Sequence, residues 1–446
     1  AMSRRSNSRG WYLSQVQLLV LILIVAAGLY LYFHPDILSG WIGQPGSAPS
    51  AELATSTPAP PEPTAAVRAT PAPAATSAPR ATAAPKATPE ASGTDALLSL
   101  RGAWYQLYFT RPRYPDRAAN HQGGIDARLV AFLNTATKTI DLADYDFDLE
   151  NAAQALAAAA ARGVRVRMVT DTDTLTSPKE SIQRAFALLK QANIPVVDDQ
   201  RPAIMHNKFV VVDDIVVWTG SWNFTVGDTY RLNNNAIKIV SPGLAKNYTL
   251  EFEQMFEKRL FGPAKQSTLH DPVLTIGGAR VENYFAPEDQ VASHIIKRIE
   301  LAQQSIHFMA FSFTSDTIGR AMRDRAKAGV QISGVFEKNG SETLYSEYGK
   351  FLKAKYDVLQ DGNPYLMHHK VIIIDGKTVI FGSFNFSNNA DKDNDENLLI
   401  VDDAGLAQAF EAEFQRVRDT ALASDTQNVS PTDPGLDTME MLTIGR

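Results

Sequence analysis

Two short runs of this sequence carry residue types able to handle a phosphodiester. The first is His206-Asn207-Lys208, followed by four apolar residues and Asp213, with Gly220-Ser221-Trp222-Asn223 downstream. The second is His368-His369-Lys370, four more apolar residues and Asp375, then Gly382-Ser383-Phe384-Asn385. Both read H-x-K-x4-D followed by G-S-x-N, and the His-to-Gly interval is 14 positions in each. His and Lys two apart on a strand point to the same side, which sets an imidazole beside a fixed cation. Ser and Asn at the end of a following strand can donate to the same point. Two of each residue suit a phosphodiester: cations and donors hold the oxygens, and the histidines do the chemistry. One such run would be weak evidence. Two with the same partners at the same spacing are not an accident of composition. His369 alternates to the other face from His368 and is expected to pack or to act behind the site. Adjacent strand residues diverge and no acidic residue has ligand-like spacing, so no metal is expected, and no cofactor either. The absence of cysteine excludes disulfides, thiolate metal sites and a cysteine nucleophile.

Rigid elements must hold these groups. The Val/Ile runs after each lysine predict buried strands, and Asp213-Asp214 and Asp375-Gly376 predict hairpins into IVVWTGS and TVIFGS. The rest of the body also repeats. Tyr108-Phe109, a helical pattern through Ile125, Leu129, Val130, Phe132 and Leu133, and a strand from Thr139 to Phe147 come first. An alanine-rich helix Asn151–Arg162 then stops at Gly163 before VRVRMV. The second half answers with Tyr284-Phe285, a helix through Ile295, Ile296, Ile299 and Leu301, the strand SIHFMAFSF from Ser305, and a helix ending at Gly329 before VQISGVF. Helices alternating with strands predict α/β layers, with one half over 97–268 and the other over 269–424.

The N-terminus is of another kind. Arg4, Arg5 and Arg9 (within 1–11) precede an uncharged stretch, 12–33, whose core LLVLILIVAAGLYLYF is apolar throughout. Its 22 residues would make a helix of about 33 Å, enough to cross a bilayer. Aromatics at both ends suit the interfaces, and the arginines predict a cytoplasmic N-terminus with the body outside the cell membrane. A cleaved signal peptide is the rival, but its apolar region would be shorter. Residues 44–95 hold 11 of the chain's 24 prolines among Ala, Thr and Ser, the composition of a disordered, semi-rigid stalk. Residues 425–446 read as a polar flexible tail. Of 43 basic and 49 acidic residues, 1–94 carry six and four, which leaves 37 − 45 = −8 for the rest. That balance argues against broad electrostatic affinity for nucleic acid, though not against a local basic groove.

The paired motifs resemble the phospholipase D superfamily, especially its short bacterial phospholipase and nuclease members. The resemblance implies two similar α/β domains, each a mixed sheet flanked by helices, packed about a pseudo-two-fold axis with one site between them. It also implies a metal-independent mechanism in which one histidine forms a phosphohistidine and the other acts as general acid, then base. Lys208, Lys370, Asn223 and Asn385 would hold the phosphoryl oxygens, with Ser221 and Ser383 near them. Asp213 and Asp375 belong to the motif but are expected to act structurally, fixing the hairpin and the lysine environment. Family members often carry an acidic residue after G-S-x-N that bonds the opposite histidine. Here Glu396 lies 28 positions after His368, but Asn234 lies 28 after His206. His206 would therefore face Glu396 and serve as nucleophile, while His368 would face a neutral Asn234 and serve as acid/base. The same departure is compatible with reduced activity. The expected substrate is a phospholipid, with extracytoplasmic DNA or RNA as the alternative and a silent surface-binding module as a further one. Cardiolipin-type transfer is less expected, since those enzymes usually have a more membrane-embedded N-terminus. The membrane is the expected partner through the N-terminal helix, and no obligate protein partner is implied.

Overall fold

The computed structural model describes residues 98–101, 104–269 and 271–425. The expected anchor 12–33, the stalk 44–95 and the tail beyond Asp425 lie outside the described residues. Among the described residues no helix is long and apolar enough to cross a membrane.

The first half holds strands β1 (Leu98–Arg101), β2 (Tyr105–Phe109), β3 (Thr139–Asp144), β4 (Arg165–Thr170), β5 (Val196–Asp198), β6 (Lys208–Val212), β7 (Val216–Gly220), β8 (Leu232–Asn233) and β9 (Asn235–Val240). The second holds β10 (Val273–Ile276), β11 (Ala279–Ala286), β12 (Ser305–Ala310), β13 (Gln331–Phe336), β14 (Asp357–Gln360), β15 (Leu366–Met367), β16 (Lys370–Ile374), β17 (Thr378–Gly382) and β18 (Glu396–Asp402). The sheets run β1-β2-β9-β7-β6-β3-β4-β5 and β10-β11-β18-β17-β16-β12-β13-β14. The two orders match place for place, with the motif hairpin β6–β7 of the first sheet answered by β16–β17 of the second. Strands β3, β4 and β5 are parallel, as are β12, β13 and β14, and the rest of each sheet is antiparallel. The result is a two-domain α/β fold with mixed sheets flanked by helices.

The motif strands are apolar on both faces because both faces are covered. Val210 and Val212 pack in an outer core with the helices Ile125–Leu133 and Glu150–Ala161. Phe209 and Val211 turn the other way, into a core that also contains Val371 and Ile373 of the second half. Two long helices complete this shared core. Pro242–Phe256, capped by the Ser241 hydroxyl, contributes Leu244, Tyr248, Phe252 and Met255. Ala404–Asp425 contributes Leu406, Phe410, Phe414 and Val417. Lys208 and Lys370 open their strands and are thus rooted in packed sheet. The hairpins form as expected: Asp213 and Asp214 have φ of 54 and 58, and Asp375 and Gly376 have 52 and 60, the left-handed pair of a two-residue turn.

Two strands end earlier than their apolar patterns suggest. The stretch read as a strand from Thr139 to Phe147 leaves the sheet after Asp144, and the one beginning at Ser305 leaves after Ala310. At that edge the Asp144 carboxylate accepts the amide of Phe224, and the amides of Asp148 and Thr314 turn to the carbonyls of Phe224 and Phe386. Freed from the ladder, Tyr145 and Phe311 turn over the ends of β6 and β16.

Candidate active site

Each motif histidine sits on a segment paired with the opposite half. Met205 bridges to Asp395, and the amide of His206 donates to the Asp395 carbonyl at 2.9 Å. Strand β15 pairs in parallel with β8, and the amide of His368 donates to the Asn233 carbonyl at 3.0 Å. The histidines precede the sheet strands on these short bridges and do not lie within them. Their rings cross the boundary too. His206 Nδ1 lies 2.8 Å from Glu396 Oε2, and His368 Nδ1 lies 3.0 Å from Asn234 Oδ1. Tying both rings by Nδ1 directs their chemistry to Nε2. Each lysine folds back on its own histidine: Lys208 Nζ donates to the His206 carbonyl at 2.8 Å and Lys370 Nζ to that of His368 at 3.0 Å.

Sequence reasoning missed Tyr145 and Phe311. The Tyr145 ring meets His206 edge to face at 5.3 Å, with Lys208 Nζ 5.2 Å from its centre. Phe311 does the same to His368 at 4.6 Å and to Lys370 at 4.4 Å. These aromatic faces seat the cations. The signal was available, since both residues stand one place after the true strand ends, at matching positions of the repeat.

The other expected residues divide. Ser221 and Ser383 are buried behind the histidines and not open to a substrate. The Ser221 hydroxyl donates to Asn234 Oδ1 at 2.8 Å and accepts the Asn235 amide; the Ser383 hydroxyl donates to Glu396 Oε2 at 2.6 Å and accepts the Asn397 amide. Placing them on the phosphoryl oxygens is therefore corrected: they orient the groups that orient the rings. Asn234 likewise sits behind His368 and is not a substrate contact. Asn223 reaches the site through Asp228, and Asn223 and Asn385 each have a buried side-chain oxygen without a protein partner. Asp213 and Asp375 lie at the far ends of the motif strands. Asp213 accepts the amides of Thr137, Lys138 and Thr139; Asp375 accepts those of Gln303, Gln304 and Ser305. Burial works against their charge, yet these amides hold both carboxyls below the usual range. They clamp the turns that begin β3 and β12, about five residues or 16 Å from the lysines, so the expected influence on the lysine environment is absent. His369 faces away and is fully buried. Asn235 donates to its Nδ1, so its Nε2–H meets Glu413 at 3.2 Å.

One carboxylate went unseen. Asp228 Oδ1 lies 3.3 Å from His368 Nδ1, so His368 does not face a neutral partner alone. Burial, then the charges of Lys208 and Lys370, hold His206 well below its ordinary value. Burial and Lys370 push His368 down to about 3, against the pull of Asp228. Burial raises Glu396 to about 8 despite Lys208 and the Ser383 hydroxyl. Asp228 is lowered: burial opposes its charge, but His368, the Asn223 amide and Thr225 outweigh it. Among the described residues no group of three or more His, Cys, Asp or Glu side chains is arranged to hold a metal ion.

A family described as cardiolipin synthase, phospholipase D-like domain matches residues 129–256 and 295–418, more than half of the chain and one stretch in each half. The chain belongs to this phospholipase D-like family. It is 29% identical over 171 residues to a phospholipase D of Rickettsia prowazekii, covering 38% of this chain and 83% of that one. It is 35% identical over 129 residues to the mitochondrial cardiolipin hydrolase of Xenopus laevis, covering 29% of this chain and 61% of that one. The crystal structure of phosphatidylserine synthase from Haemophilus influenzae Rd KW20 shares the fold, with a TM-score of 0.52 at 12% identity over 66% of this chain and 83% of that one. Family and named hydrolase relatives together make the phospholipase D-like chain a phosphodiesterase.

Proposed function

We propose that this chain hydrolyses the headgroup phosphodiester of phospholipids through a phosphohistidine, with both histidines serving one site. The crossed Nδ1 bonds carry this reading, because they aim one ring from each half with its Nε2 available. In the first step the Nε2 lone pair of His206 attacks phosphorus. The bond to the headgroup oxygen breaks, and that oxygen takes a proton from His368 Nε2. In the second, His368 takes a proton from water, the resulting hydroxide attacks phosphorus, and the P–N bond breaks to restore His206. Burial and Lys370 oppose a charged His368, so the proton donor relies on ionised Asp228 and on the negative charge of the bound phosphodiester to hold its proton. Lys208, Lys370, Asn223 and Asn385 hold the phosphoryl oxygens.

Lipid is favoured by the names of the relatives and by one surface feature. Leu344 and Tyr345 are 98% and 79% exposed on the loop after β13, which leaves its sheet at the same edge as Phe311 and rejoins it where Glu347 bonds Phe313. An exposed apolar pair at that edge suits a bilayer surface. The N-terminal segment 12–33 would anchor the body outside the cell membrane, with the stalk setting its distance. A second observation favours nucleic acid. The loop Thr110–Gly124 exposes Arg113, Tyr114 and Arg117, close to Arg231 stacked on Tyr365, a basic and aromatic rim suited to a polyanion. The full chain, in excess chelator, is offered mixed phospholipid vesicles and single-stranded DNA, with His206→Ala and His368→Ala as controls. Headgroup release lost in both variants supports the lipid reading. DNA cleavage with intact lipid replaces it with the nuclease, and neither activity leaves the binding module.

A further inference from the structure

The two halves can be compared position by position, because residue n of the first motif region corresponds to n + 162 of the second. Asn234 corresponds to Glu396, and Asp228 to Ala390. A carboxylate and a neutral side chain have thus changed places between the halves. We infer that Asp228 is the positioning carboxylate of His368, moved six residues along the chain from the place Glu396 occupies for His206. The inference rests on the two-histidine reading of the site.

The geometry gives Asp228 two ways to act. Its Oδ1 lies 3.3 Å from His368 Nδ1, where it stabilises an imidazolium directly. The same oxygen accepts from Asn234 Nδ2 at 3.0 Å, which leaves Asn234 Oδ1, and not its NH2 group, facing the ring at 3.0 Å. Ser221 donates to that Oδ1 and secures the same orientation. An amide turned the other way would present donors to Nδ1 and force the proton onto Nε2, the wrong tautomer for the base that activates water.

Local structure alone does not explain the acid. Asp228 sits three residues after Thr225, which caps the helix Val226–Tyr230, and it bonds the Thr225 hydroxyl at 3.0 Å. The matching helix Asn388–Lys392 is equally long and is capped by Ser387 with Ala390 in that place. Capping therefore needs no carboxylate. A fully buried carboxylate is expensive to keep without a use, and this one is held by the amide and side chain of Asn223, by Thr225 and by Asn234. The exchange is also exclusive, since Glu at 234 beside Asp228 would crowd two acids into one dry pocket. Lys370 and Lys208 face His368 as well and oppose its protonation, while Asp144 and Asp146 share the pocket of Asp228.

The test is a cycle in the full chain, read as kcat, KM and pH profile on a soluble chromogenic phosphodiester, with thermal melts for each variant. Asp228→Ala and Asp228→Asn are expected to lose about 10²–10³-fold in kcat with little change in KM, and to move the alkaline limb about a unit lower. Asn234→Glu alone is expected to lose a similar factor. The double variant Asp228→Ala/Asn234→Glu rebuilds the arrangement around His206 and is expected to recover to within about tenfold of the original rate. His206→Ala and His368→Ala test the underlying reading: activity in either removes the two-histidine site whatever Asp228 does. If both are inactive while Asp228→Ala and Asp228→Asn keep kcat and pH profile, the relocation is wrong. Loss in the single variants with no recovery in a folded double variant also overturns it.

Discussion

Glu396→Gln should make the protein more stable and a poorer catalyst, and the stability gain should grow with pH. Glu396 is fully buried and its carboxyl is raised from 4.5 to about 8. A raised folded-state value means that stability is fully present below pH 4.5 and is lost as pH rises through 8. At 1.36 kcal/mol per unit, the ionisation penalty is about 1 kcal/mol at pH 5, about 3 at pH 7 and about 5 at pH 9. Gln has nearly the same shape. It can keep its oxygen towards His206 Nδ1 and the Ser383 hydroxyl, turning its NH2 group away, much as Asn234 does in the other half. The penalty is then removed and the tautomer kept. What is lost above pH 8, where Glu396 is ionised, is the charge: a hydrogen bond to a charged acceptor exceeds one to a neutral acceptor by about 1–1.5 kcal/mol, or about 5–10-fold in rate. Chemical denaturation at pH 5, 7 and 9, with kcat on a soluble phosphodiester, reads both effects. A variant that is less stable at pH 9, or whose stability difference ignores pH, refutes the buried-carboxylate reasoning. A stabilised variant with unchanged kcat refutes the support of His206.

Two further outcomes follow from the periphery of the site. Leu344→Asp/Tyr345→Asp alters only exposed side chains, so its melt should match the original. Headgroup release from vesicles should fall about tenfold or more while hydrolysis of a soluble diester is unchanged; equal loss on both substrates would remove the docking role. Asp213→Ala should destabilise by about 1–3 kcal/mol in denaturant titration, because three turn amides lose their acceptor. The kcat of its folded fraction should match the original, and a large fall in kcat would return Asp213 to the catalytic set.

The repeat, the α/β layering and both hairpins were legible because local chemistry dictates them: four apolar residues after a lysine make a doubly buried strand. The meeting of His206 with Glu396 came instead from the resemblance to the phospholipase D superfamily, since spacing alone does not say which histidine a carboxylate reaches. Tyr145 and Phe311 were not legible as site residues, since apolar patterning continues past the point where the sheet loses its neighbours. The roles of Ser221 and Ser383 were misjudged because a hydroxyl beside a motif can face either the ligand or the groups behind it. Burial decides that, and burial depends on the opposite half. Asp228 escaped for a different reason. A carboxylate can reach the same ring from a helix turn six residues away, so a motif position can be neutral while the pocket is not.

The most direct measurement traps the covalent intermediate. The full chain is pulsed briefly with phospholipid labelled at phosphorus, quenched in alkali, where a phosphohistidine survives, and digested for peptide mapping. Label is expected on the peptide containing His206, absent in His206→Ala and accumulated when water attack is slowed in His368→Asn. Label on His368 would reverse the two roles, and turnover without label on either histidine would contradict covalent catalysis at this site.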